Sequence, residues 1–547
     1  MTALRRQDTL RALRSADVAA RAGIAGTPLG EEMARADVRF VARGGPLERR
    51  WDDALRELSS CIRPIIGADP VLNEGGPYDG CWIESTGTVN VDVLTRFAPD
   101  VAARTLRQFA VHQREDGMIP YKVAPTGPGF SQIQMVTPLA RTVWRHYLAT
   151  GDRELLAALY GAMVRHDAWL LRYRNTRATG GVEAFCAFDT GHDLSPRFWF
   201  APDRALHADA RHCDPSAPLM PYIAPDLTAN VACQREYLAL IAQELGDDPG
   251  PWSQAAAESR AALYDQCFVA EDGQFYDRDG SGAHVRIATD VLARVLACEV
   301  GDGEFFAASL HRYLMNTRKF LAHYGFTTIA MDDPRFDHDS GRNSWGGPVN
   351  FLALLRAPDA FDRHGHVAEL ALTAAPVLSA LAIEGRFPQC LDPWSGDAGY
   401  TEVYAPAILW YLDALERLSG VMRRGDGSVW LSGLTPTRLE HGASAETLAF
   451  RRAIDGHRWE LVGDDETIEV FRDGAAFVTF PRGWRVTVDP SGAVDTVVGL
   501  SPATVSGTLR MPGLDLELSV SANQIVRVGE GRPEHAGGPR FVAPVFD

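Results

Sequence analysis

A mainly helical chain with a small β-domain at its C-terminus is the fold this sequence predicts, on three observations. From about residue 50 to 420 the apolar residues recur at helical spacing. Between these stretches lie long loops rich in Trp, Asp, Arg and Gly, at 72–86, 116–134, 183–226, 323–350 and 384–404. Beyond about residue 421 the apolar period falls to two.

Residues 1–50 form an Ala/Arg-rich segment that is expected to be helical. Within 51–420, Ala102, Leu106 and Phe109 share one helical face, and so do Leu139, Val143 and Tyr147. Leu156, Leu159, Met163 and Leu170 repeat the pattern after a Gly-Asp break. Comparable runs are DLTANVACQREYLALIAQELG, GPVNFLALLRA, HVAELALTAAPVLSALAIEG and TEVYAPAILWYLDALERLSG. Many long helices with few strands suit a bundle, a solenoid or a toroid. Loops that recur between helix pairs are expected to rise together at one end of a ring, and long loops on a rigid scaffold carry function. RRGDG near 423–427 reads as a linker. In 421–547, Trp484, Val486 and Val488 alternate with polar residues, as do Leu514, Leu516, Leu518 and Val520. The turn signals RDG, PRG and PSG punctuate them, which predicts a β-sandwich-like domain.

Composition narrows the function. The chain has 547 residues, 46% hydrophobic and 23% charged, enough to bury a core without disulfides. A net charge of −17 argues against nucleic acid or an anionic membrane as partner and fits a neutral substrate. The eight cysteines are scattered with no CxxC pair and read as free thiols. The N-terminus has no apolar signal region and no run is long enough to span a bilayer, so a cytoplasmic protein is expected. The acidic run Asp332–Gly341 lacks EF-hand spacing and reads as a solvated loop, so no metal is expected. There is no phosphate-cradling loop or nucleotide fingerprint, and no cofactor is expected.

The loops carry the chemistry. FDTGHDLSPRF, Phe188 to Phe198, gathers Asp189, His192, Asp193 and Arg197. In a pit, an aspartic acid such as Asp193 can be kept protonated by burial and a neighbouring carboxylate, and so act as a general acid. LNEGGPYDGCWIES sets Trp82 beside Glu84, and SQIQ adds Gln132. Asp226 opens the DLTAN helix, NSWGGPVN contributes Trp345, and FPQCLDPWSGDAGYTEVY contributes Gln389, Asp392, Trp394 and Glu402. Aromatic faces with carboxylates and amides suit a sugar, whose C–H face stacks while its hydroxyls take hydrogen bonds.

In that order, from about residue 70 to 420, the loops resemble those of the helical-toroid glycoside hydrolases, the clan of trehalase, processing α-glucosidase and mannosylglycerate hydrolase. CWIES resembles the clan's early Trp-x-Asp-Ser loop, with Glu84 in the acidic place, and QREDGMIP its Q-x-x-DG-x-iP segment. FDTGHDLSPRF resembles its S-G-x-D-x-S-x-R loop, and LDPWSGD its late Y-D-P-x-T-G loop. The resemblance implies an (α/α)6 toroid over 51–420, a six-hairpin glycosidase that acts with inversion, on an α-glycoside in particular; the lack of a signal region points to a small glycoside as substrate. The resemblance also implies Asp193 as the general acid and substrate-binding roles for Glu84, Gln132, Arg197 and Trp345. Trp82, Asp189, His192, Asp226, Asp392 and Trp394 are further candidate sugar contacts.

Two positions depart from the clan's pattern. Gln389 stands where the clan carries its catalytic Glu, and an amide cannot take a proton from water. Gly346 replaces an arginine, with Arg342 close by in sequence. Three explanations fit Gln389: another carboxylate, Glu402 or Glu384, is the base; the acceptor needs no strong base, as in a glycoside phosphorylase or transferase; or the chain is an inactive form, natural or engineered. The rival readings are a non-catalytic sugar-binding protein on the same scaffold, and a sugar epimerase or lyase using His192 or His323.

Overall fold

The computed structural model describes residues 2–434, 444–529 and 532–546. Its helices start and stop where the side chains require. Asp152 caps Arg153–Tyr173 by accepting the Leu155 N–H (2.9 Å), and Asn350 caps Phe351–His364 by accepting that of Leu352 (2.9 Å). Pro225–Leu245 opens on a proline, whose missing N–H is not needed there, and closes at the left-handed Gly246 (φ 93°).

These helices close a ring. Asn90–Leu94 packs on Leu139–Thr150, which packs on Pro225–Leu245. Val291–Ala297, Phe351–His364 and Ala405–Ser419 follow, and the last returns to Asn90–Leu94. Every residue of Ala405–Ser419 is buried, as befits a helix covered on all sides. Leu47–Cys61, Pro99–Val111, Arg153–Tyr173, Gly250–Cys267 and Val367–Ile383 pack against the ring helices.

Short strand pairs tie the long loops together. Cys81–Trp82 pairs with Lys122–Ala124, which pairs with Gly127–Gly129. Glu183–Ala184 pairs with Tyr222–Ile223 and Val349–Asn350 with Cys390–Leu391. Single bridges join Gly75 to Tyr404 and Phe387 to Val403. Loops distant in sequence are thereby crosslinked into one assembly, as a ring with its loops at one end requires.

The C-terminal region is β-rich. Val421–Arg423, Val429–Ser432, Trp484–Val488, Val494–Gly499, Ile525–Gly529 and Arg532–Gly537 form one antiparallel sheet. A second runs from Thr447–Ile454 to Leu514–Val520, and its edge is an N-terminal strand, Arg39–Arg43, paired with Thr447–Ile454. Residues 1–50 are therefore not wholly helical. Their first helix, Thr2–Ser15, lies on this sheet, with Leu10 and Leu13 packed on Val41, Ala449 and Val462, and Arg14 on Glu460 (2.7 Å). Arg452 reaches Glu416 (2.9 Å), and the Asn523 amide bridges the Ala368 N–H and Glu369 (2.8 Å each), which fixes the sheets to the helices. No helix among the described residues is long and apolar enough to cross a membrane.

Candidate active site

The loop from Phe188 to Phe198 turns sharply twice. Gly191 is left-handed (φ 67°), and a Cβ there would stand 2.1 Å from a Glu84 oxygen, so only glycine lets the Glu84 carboxylate come up under the loop. Leu194 is left-handed as well (φ 58°). Between them, Asp193 is half-buried, and its backbone carbonyl takes the Trp345 N–H (3.0 Å). Burial, then the charges of Glu84 and Asp203, raise the Asp193 carboxyl to about 7, against a hydrogen bond from Asn343 that lowers it.

Beneath the loop lies a buried lattice of alternating charge. Glu84 receives the Arg356 guanidinium (2.8 Å) and the Gln134 amide (2.8 Å), and Gln132 donates to Gln134 (3.0 Å). Arg294 spans Asp290 (3.1 Å) and Asp226 (3.3 Å). Arg197 grips Asp226 and Asp277, at 2.7 Å from Nη2 to each. Arg197 also donates to His192 Nδ1 (3.0 Å), which fixes the imidazole proton on Nε2, 3.0 Å from Asp290. Burial, then the charge of Arg294, lower His192 to about 4, so the ring is neutral. Burial alone would raise Asp226 and Asp290, but Arg197 and Arg294 for the first, and His192 and Arg294 for the second, outweigh it and hold both carboxylates ionised. Trp345, 1% exposed, is sandwiched between His192 (4.8 Å) and the Arg294 guanidinium (4.7 Å).

A directional chain of hydrogen bonds ends on Asp193. The Tyr78 hydroxyl donates to Gln389 Oε1 (2.8 Å), Gln389 Nε2 to Asn343 Oδ1 (2.9 Å), and Asn343 Nδ2 to Asp193 Oδ2 (2.5 Å). Two hydrogen bonds through one amide keep the Asp193 and Gln389 side chains within roughly 8 Å of each other. Tyr78 in turn meets Trp82 edge-on (5.8 Å), and Lys122 lies over the Trp82 ring (4.8 Å). Behind them Glu74, held by the Tyr404 hydroxyl (2.7 Å) and Ser85, is raised by burial to about 7.

The structure thus brings Glu84, Gln132, His192, Asp193, Arg197, Asp226, Trp345 and Gln389 together, and Trp82 joins them through Tyr78. It buries Glu84, Arg197 and Asp226 in ion pairs and leaves Asp193 half-buried. Asp189 serves the loop's own fold: it is fully buried, paired with Arg174, and takes the N–H groups of Ile133 and Phe185 (2.9 and 2.7 Å). Asp392 accepts the Trp394 and Ser395 N–H groups (2.9 Å each) and meets His338 (2.8 Å); Trp394 is half-exposed against His338 and Phe336. Glu402 is exposed, and its backbone carbonyl takes the Phe387 N–H (2.9 Å). Glu384 pairs loosely with Arg386 (3.8 Å). Arg342 does not fill the place of the missing arginine: it is exposed and paired with Asp337 and Asp339. The cationic charge comes instead from Arg294 and Arg356, which the sequence reading missed, as it did Asn343, Tyr78 and Asp277.

The model of the mannosylglycerate hydrolase MGH1-like glycoside hydrolase domain matches residues 84–405. The fold is similar to that of a GH63 mannosylglycerate hydrolase from Thermus thermophilus crystallised with Tris, at TM-score 0.56 and 19% identity over 66% of this chain and 98% of that one. The same enzyme with glucose gives TM-score 0.54 and 20% identity over 66% and 99%. Neutral trehalase Nth1 from Saccharomyces cerevisiae gives 0.50 and 14% over 63% and 73%. At such identities the likeness is one of fold, the helical toroid. No curated protein matches the chain in sequence.

Proposed function

The chain belongs to the mannosylglycerate hydrolase MGH1-like glycoside hydrolases, and from that premise we propose that it cleaves a small glycoside with inversion, Asp193 acting as the general acid. One observation carries the reading: the Asp193 carboxyl is raised to about 7, so it keeps a proton to near neutrality while its side chain stays only half-buried. Asn343 donates to Oδ2, which leaves the proton on Oδ1, and Oδ1 has no protein partner among the described residues. That oxygen is the donor to the departing glycosidic oxygen.

The nucleophile belongs on the Gln389 side. Gln389 has one lone pair and one N–H left after its bonds to Tyr78 and Asn343, enough to hold a water but not to take its proton. Hydrolysis by water then lacks the base contribution of about 10²–10⁴-fold. Of the loop's other carboxylates, Glu402 is exposed and can serve only by turning inward. The decisive experiment is a panel of small α- and β-glycosides with NMR detection of the first-formed anomer, run on the wild type and on Asp193→Asn. Turnover with inversion that the variant loses supports the reading; undiminished turnover in Asp193→Asn ends it.

A second reading draws on the same hydrogen-bond chain. Its polarity is complete with an amide at 389, as suits a site whose nucleophile brings its own charge or a protein that only binds sugar. Azide or formate accelerating turnover favours the former, and calorimetric sugar binding without product the latter.

A further inference from the structure

Leu194 directly follows Asp193 and combines two features unfavourable to leucine. Its backbone is left-handed (φ 58°), which disfavours residues bearing a Cβ, and its side chain is 58% exposed. Just past the turn Pro196–Phe198, Trp199 and Phe200 are 56% and 79% exposed. Three of the eleven large apolar side chains exposed among the described residues thus fall in seven consecutive positions of one loop, where exposed apolar residues are usually scattered singly. The backbone returns this segment to the acid loop. The Ala187 N–H donates to the Pro202 carbonyl (2.9 Å) and that of Phe188 to the Asp203 carbonyl (3.2 Å). Gly346, which offers no side chain, lies beside Pro196 and the Leu194 carbonyl. Asp203 and Arg204, adjacent and exposed, cancel in charge.

We infer that Leu194, Trp199 and Phe200 form the leaving-group site, and that the substrate is a glycoside with an apolar aglycone, aromatic or alkyl. The inference rests on Asp193 being the acid. A donor must lie about 3 Å from the glycosidic oxygen, so the first atoms of the aglycone meet the residue next to it. Consecutive Cα atoms are only about 3.8 Å apart, which places Leu194 there. An apolar aglycone covers surface that water otherwise wets, and backbone strain of this kind persists where the site uses it.

The test is calorimetry on Asp193→Asn, in which turnover is removed, with methyl and octyl α-D-glucopyranoside and α-D-mannopyranoside. The octyl glycoside is expected to bind at least about tenfold tighter than its methyl counterpart, or about 1.4 kcal/mol. Adding Leu194→Asn, Trp199→Ser and Phe200→Ser should cut that preference below about threefold; asparagine accepts the left-handed backbone, so the loop keeps its course. Equal binding of the two forms, no binding of the octyl form, or a preference that survives the triple change overturns the inference. Turnover by the wild type without an octyl preference refutes the apolar site and spares the acid. An octyl preference in a chain that releases no sugar refutes the acid and spares the apolar site.

Discussion

Gln389→Glu puts a carboxylate where the hydrogen-bond chain now passes through an amide. The new charge lies within roughly 8 Å of Asp193, and 332/(εr) with ε of about 20–80 gives a repulsion of roughly 0.5–2 kcal/mol. At about 1.4 kcal/mol per pH unit, ionisation of Asp193 moves up from about 7 by roughly half to one and a half pH units. The hydrogen bonds push the same way. A carboxylate cannot donate to Asn343 Oδ1, so Asn343 must turn its NH2 toward position 389 and its carbonyl toward Asp193, which then has to carry a proton in order to donate. Tyr78 still donates to the new carboxylate.

The assay is kcat/KM against pH on a glycoside that the wild type turns over. The wild-type profile is expected flat in acid and falling above about 7, as Asp193 loses its proton. In Gln389→Glu an acid limb appears where the new carboxylate titrates, the alkaline limb shifts upward, and the plateau rises by about 10²-fold or more. An unchanged plateau with a single limb would refute the placement of the nucleophile beside Gln389, and Glu402→Gln would then be the variant expected to abolish turnover.

Asp193→Asn should also stabilise the protein, with a definite pH signature. A carboxyl raised from 3.8 to about 7 is unpenalised below its unfolded value, loses stability as pH climbs between the two, and bears the full penalty above the folded one. The melting temperature of the variant should therefore exceed the wild type's at pH 8 and match it at pH 4; a gain of equal size at both would sink the linkage. Glu84→Gln removes a negative charge that raises Asp193 and leaves Arg356 buried without its partner. The alkaline limb should move to lower pH, and stability should fall by about 3–5 kcal/mol in denaturant titration. Gly191→Ala drives a Cβ into the Glu84 carboxylate at a left-handed backbone, so a loss of at least about tenfold in kcat is expected; wild-type kinetics would show that the close approach has no catalytic consequence.

The candidate acid was legible because the residues that pointed to it are local. Gly191, Asp193 and Arg197 fall within seven residues, and a loop that polar has no core to join. Its partners were not legible, because they arrive through folding. Asn343 lies 150 residues away, in the loop leading to Val349–Asn350, which pairs with Cys390–Leu391. Arg294 and Arg356 sit within apolar helical runs, VLARVLA and FLALLRA, where a charge signals a buried counter-charge but not which one. Residue type also hides depth. Asp189 and Trp345 have the chemistry of sugar contacts, yet Asp189 holds Arg174 and Trp345 fills the space between His192 and Arg294. The strand Arg39–Arg43 is too short to show a period, and its partner, Thr447–Ile454, lies near the other end of the chain. The Gln389 departure is the reverse case: one letter carried more about the mechanism than the fold did, because only its hydrogen-bond polarity, from Tyr78 to Asp193, shows an amide fitting the site as built.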